Sequence, residues 1–127
     1  MKLKRFIPFI AWTIIVMFLM GLPGRTFPKV PNFLEWLTWD KLIHFVIFGL
    51  FCYLFLWGIY KQKSISKKHY WIAFFLGVFY SGLTELLQRY VFTYRSGNWF
   101  DFLADVIGCF MGCLCFYLIL DKRSKKV

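Results

Sequence analysis

The sequence predicts an all-α, polytopic membrane protein, a four-transmembrane-helix bundle with its N-terminus and C-terminus both inside. Three observations carry that expectation. The chain of 127 residues is 60% hydrophobic and 24% aromatic, which is more apolar surface than a water-soluble domain of this length hides in one core. The hydrophobic residues gather into four stretches, each near the roughly 20 residues that cross about 30 Å of hydrocarbon. The basic residues between those stretches are unevenly divided, and lysine and arginine in short loops are retained on the cytoplasmic side. A single domain over residues 1–127 is expected, with helices near 6–22, 42–60, 70–87 and 102–120 and an outer interfacial loop at 23–40.

The orientation follows from the charges. Lys2, Lys4 and Arg5 precede the first stretch, Lys61, Lys63, Lys67 and Lys68 fill the second connection, and Lys122, Arg123, Lys125 and Lys126 end the chain. Against these eleven, only Arg25, Lys29, Lys41, Arg89 and Arg95 fall on the opposite side, so both termini are placed in the cytoplasm. The net charge of +10 does not indicate nucleic-acid binding, because the basic residues are spread over three cytoplasmic ends and belong to no soluble fold. Membrane lipids with anionic head groups are the expected partner, each nearby lysine contributing about 1 kcal/mol of attraction.

The first stretch resembles a signal peptide in its basic start. Its apolar run is too long for a typical signal core and no small-x-small cleavage site follows, so an uncleaved helix is expected. Pro8 falls in its first turn or so, where the missing N–H has no partner to lose. In the loop that follows, Pro23, Pro28 and Pro31 with Gly21 and Gly24 forbid a continuous helix. Phe33, Trp36 and Trp39 then suit the outer head-group level, as an anchor or as a lid.

Five of the six carboxylates fall toward the outer side, and ionisable groups within a bilayer are costly enough to mark function by default. Asp40 opens the second helix, where it can cap the free N–H groups and meet the positive end of the dipole. His44 lies one turn deeper in an otherwise apolar run and needs a polar partner. On the third helix Glu85 and Gln88 share a face with Ser81, and Thr84 is adjacent, a polar stripe at the same depth as His44. After Arg95, Asp101 suits the start of the fourth helix, whereas Asp105 sits a full turn further in, where capping cannot explain it. Gly108 and Gly112 form a small-xxx-small pattern that lets another helix approach closely.

Cys52, Cys109, Cys113 and Cys115 all lie in apolar helices and read as small hydrophobes. Cys109 and Cys113 share a face, but no histidine lies near them, and no metal-ligand spacing occurs within any one segment. Neither a metal nor a cofactor is expected from spacing.

The ordered set Asp40, Lys41, His44 and Phe48, then Glu85 and Gln88, then Arg95, Asp101, Asp105, Gly108 and Gly112 resembles the VanZ-like family of small bacterial membrane proteins. The resemblance covers Asp40 to Gly112 and departs in two places: the family usually has asparagine where this chain has Asp105, and proline where it has Tyr94. It implies a multi-pass protein of the bacterial cytoplasmic (inner) membrane, associated with the cell envelope. The founding member is linked to low-level antibiotic resistance, against the glycopeptide teicoplanin. No established reaction comes with the family.

Three functions remain open at this level. In the first, Asp40, Lys41, His44, Glu85, Gln88, Arg95, Asp101 and Asp105 form an outer-leaflet pocket for an anionic, lipid-linked envelope intermediate, with arginine suited to phosphate. In the second, Glu85 or His44 is the general base of a hydrolase or transferase acting on lipid head groups, in one variant with a divalent metal held by His44, Glu85 and an aspartate. In the third, the same residues form a buried structural network. A proton-coupled transporter is disfavoured because the polar groups are expected only in the outer half.

Overall fold

A computed structural model describes residues 3–20, 39–62, 64–90 and 99–122, with the side chains of Met20, Trp39, Asp40, Gln88, Arg89 and residues 99–101 outside that set. A 3-10 turn at Leu3–Phe6 leads into α1 (Ile7–Met20), followed by α2 (Trp39–Tyr60), α3 (Lys67–Tyr90) and α4 (Trp99–Phe116), and a π-helical turn at Tyr117–Asp121 extends the last helix. Three segments, Lys41–Tyr60, Lys67–Leu87 and Phe102–Asp121, are long and apolar enough to cross a membrane. The described part of α1 has 14 residues, fewer than the 6–22 expected for it.

Three helix starts fall three residues before expectation, at Trp39, Lys67 and Trp99. The third helix begins at Lys67 rather than near 70, because Ser66 and His69 act as a reciprocal cap. The Ser66 backbone N–H donates to His69 Nδ1 at 2.9 Å while the His69 N–H donates to the Ser66 carbonyl at 3.0 Å. The second helix begins at Trp39, which corrects the capping role read for Asp40: that residue lies inside the first turn. An acidic residue there still meets the positive end of the helix.

Association of apolar helices in lipid has no hydrophobic drive, so close packing and interhelical hydrogen bonds must hold them. Both are present. Trp12 Nε1 donates to the Ile47 carbonyl at 3.0 Å and Tyr80 Oη donates to the Thr13 carbonyl at 2.7 Å, tying α1 to α2 and α3. Phe51 and Tyr80 stack nearly parallel at 5.1 Å between these helices, with the Phe9 ring tilted against Phe51 at 4.8 Å.

The α2 and α4 backbones meet at glycines. A Cβ on Gly108 would stand 2.3 Å from the Phe45 carbonyl oxygen, and one on Gly112 would stand 2.1 Å from that of Gly49. No other residue type fits either place. Outside this packed interior, large apolar side chains face outward, among them Phe18 at 73% and Phe79 at 71% exposure. Such a surface is a liability in water and matches hydrocarbon.

Candidate functional site

The glycine crossing brings the beginnings of α2 and α4 together, and a buried polar centre sits beside it. His44 Nδ1 lies 2.8 Å from Asp105 Oδ1, both side chains fully buried. Ser81 of α3 donates from Oγ to the second oxygen, Asp105 Oδ2, at 2.6 Å. Thr84 Oγ1 donates in turn to the Ser81 carbonyl at 2.8 Å, which fixes the helix segment that carries the serine. Asp105 is therefore gripped from two helices, which explains how a carboxylate nearly two turns past the start of α4 is tolerated.

Glu85 completes the centre. Its Oε1 is buried, and one ligand atom from each of His44, Glu85 and Asp105 lies within 4.8 Å of the others. Phe48, one turn further along α2 and fully buried, lies nearly parallel to the His44 ring with centroids 6.5 Å apart. Lys41 is half-buried one turn before His44.

Of the residues singled out by sequence, His44, Glu85 and Asp105 are thus brought together, with Ser81 and Thr84 of the polar stripe. The side chains of Asp40, Gln88 and Asp101, and Arg95 as a whole, lie outside the described residues. Gly108 and Gly112 lie in the α2 contact, one turn and two turns beyond Asp105.

One expectation is corrected. The polar groups are not confined to a single end, because Asp121 is buried at 3% exposure at the other end of α4 and accepts a 2.5 Å hydrogen bond from Tyr70 Oη. The basic residues that follow Asp121 make it read as part of a solvated tail, and only its spacing along the inner face of α4 hinted otherwise. Between the two ends, Cys52 of α2 joins Cys109 and Cys113 of α4 in the core. The Cys52 and Cys109 sulfurs stand where a Cβ on Gly77 would fall, at 2.8 and 2.5 Å, so that glycine provides their space. Cys52 Sγ donates to the Ala73 carbonyl at 3.3 Å, the behaviour of a packed thiol.

The profile of the VanZ/LLP1 family matches residues 4–120, nearly the whole chain and all four helices. The chain belongs to the VanZ/LLP1 family. Together with its three apolar helices of spanning length, this makes it a membrane protein. A protein of Schizosaccharomyces pombe described as the uncharacterized protein C11E3.10 is 30% identical over 88 residues, covering 69% of this VanZ/LLP1 chain and 52% of the relative. The chain therefore spans about half the length of that curated relative. No solved structure matches the chain significantly.

Proposed function

We propose that this VanZ/LLP1 protein is a single-domain, four-span membrane protein with both termini in the cytoplasm, and that its polar centre holds the anionic head group of a membrane lipid or lipid-linked envelope intermediate. The observation that carries this reading is the convergence of His44, Glu85 and Asp105 from three helices inside segments of membrane-spanning character. Ionisable groups in such a place are rare and mark sites of ligand or ion handling. Lys41 stands one turn toward the helix start from His44, and Arg95 belongs to the connection that leads into α4, so a cation precedes each of the ligand residues His44 and Asp105 in sequence. Arginine and lysine there suit a phosphate.

The glycine crossing supplies a place for the chain of such a lipid. A wholly apolar groove of 260 Å³ runs over it, lined by Phe45, Gly49 and Tyr53 of α2 and by Gly108, Met111 and Cys115 of α4. It starts within a turn of the polar centre and extends toward mid-bundle, as an acyl or polyprenyl chain would. Teicoplanin resistance would follow where the bound lipid is an envelope precursor.

One observation bears on a serine-nucleophile form of the enzyme reading, and not on Glu85 or His44 as a base toward water. Ser81 donates to Asp105 and not to His44, so the serine and histidine are not arranged as nucleophile and base. The structural reading is favoured by another: the His44 and Ser81 bonds to Asp105 are already complete within the protein. Native mass spectra of gently extracted protein separate these. A phosphate-bearing lipid adduct that is lost in Lys41→Ala and Arg95→Ala supports the head-group site, and an adduct-free mass in wild type opposes it.

A further inference from the structure

The geometry points to a divalent cation site formed by His44 of α2, Glu85 of α3 and Asp105 of α4, for a metal of zinc or manganese character. This rests on the head-group reading of the same centre and adds to it the ion that would face the phosphate. An imidazole and two carboxylates are the donor set that such metals share, whereas calcium and magnesium favour all-oxygen sites.

The arrangement fits in three respects. The ligand atoms converge, all lying within 4.8 Å of one another, and each comes from a different helix, so the set exists only in the folded bundle. The 2.8 Å from His44 Nδ1 to Asp105 Oδ1 is close to the ~3.0 Å between adjacent donors about 2.1 Å from an octahedral ion, and a tetrahedral zinc would open it to ~3.4 Å. The carboxylate is also held from behind, with Ser81 donating to Asp105 Oδ2 at 2.6 Å, the kind of outer contact that orients metal ligands.

Electrostatics gives the centre a reason to take a cation. A histidine and one aspartate suffice for a buried ion pair. The second carboxylate, Glu85, adds a third donor beside Asp105 and the imidazole, and two carboxylates with one imidazole form a ligand set suited to a doubly charged cation. The sequence offered this set only as a variant with the aspartate unassigned, because no two of the three ligands share a helix and the structure is needed to single out Asp105.

Metal content decides the matter. Protein purified without a histidine tag would be analysed by inductively coupled plasma mass spectrometry after equilibration with zinc or manganese and desalting, wild type beside Glu85→Gln and Asp105→Asn. Both variants keep side-chain volume, and Asp105→Asn keeps acceptor and donor groups for His44 and Ser81. The expected result is one metal per chain in wild type and at least a tenfold lower content in each variant, with circular dichroism unchanged. Folded wild type without metal overturns the site, and so does equal metal in all three, which would mean adventitious binding. A lipid adduct that persists in metal-free protein removes the cation and leaves the head-group reading standing. Bound metal without any lipid adduct removes the head-group reading and leaves the cation.

Discussion

Replacing Gly112 by alanine tests how the glycine crossing builds the polar centre. The new Cβ would lie 2.1 Å from the Gly49 carbonyl oxygen, and ordinary contact begins at 3.4 Å, so the backbones must part by the difference, about 1.3 Å. Gly108→Ala starts from 2.3 Å against Phe45 and needs about 1.1 Å. Neither obstacle is a side chain that can rotate away. A shift of that size along the line from His44 Nδ1 to Asp105 Oδ1 takes the 2.8 Å contact to nearly 4 Å, past hydrogen-bond range. Overpacking costs about 1–3 kcal/mol, and loss of a buried charged hydrogen bond adds roughly 1.5–3 kcal/mol. A loss of about 2.5–6 kcal/mol is expected for each variant.

Gly82→Ala is the control on α3. Its Cβ would meet only Phe102 at 3.9 Å, and alanine in a helix gains roughly 0.5–1 kcal/mol over glycine. Gly49→Ala, at 3.0 Å from the Gly108 carbonyl oxygen, should fall between. Unfolding in mixed micelles followed by circular dichroism measures the series. If Gly112→Ala and Gly108→Ala prove as stable as Gly82→Ala, the account of the crossing is wrong.

Other substitutions probe separate contacts. Ser81→Ala removes the 2.6 Å bond to Asp105 and should cost about 1–2 kcal/mol, read in the same unfolding assay. Tyr80→Phe loses the 2.7 Å bond to the Thr13 carbonyl while keeping the stack on Phe51, and a loss near 1 kcal/mol is expected, with faster proteolysis within α1 as the second readout. Tyr70→Phe withdraws the hydroxyl from buried Asp121, so the turn at Tyr117–Asp121 should gain amide exchange while exchange around His44 stays unchanged. Reporter fusions at the two ends of the chain should both report the cytoplasm. A reporter active outside at one end alone refutes an even number of spans, and one active outside at both ends refutes the cytoplasmic placement of the termini.

The architecture was legible because its signals are local. Apolar stretches of spanning length mark α2, α3 and α4 directly. His44 and Asp105 stood out for a physical reason as well: each is an ionisable residue one turn too deep for capping, and each turned out to be the other's partner. Gly108 and Gly112 announced a close contact, but the helix they meet is set by tertiary packing and is not encoded in their spacing. Asp121 was missed because the lysines and arginine after it resemble a tail, while its partner Tyr70 lies 51 residues away. Cys52 was likewise separated from Cys109 and Cys113, and only the space left by Gly77 brings their sulfurs together. Contacts between helices of a bundle are long-range, so sequence shows which residues need partners better than which partners they find.

The central claim is that the buried centre serves a ligand and not the fold alone. Glu85→Gln tests it most directly, with stability and bound lipid measured on the same preparation by unfolding and native mass spectrometry. The account predicts an unfolding midpoint close to wild type with the lipid adduct lost. A clearly destabilised variant that retains the wild-type adduct would contradict it and assign His44, Glu85 and Asp105 to a structural network.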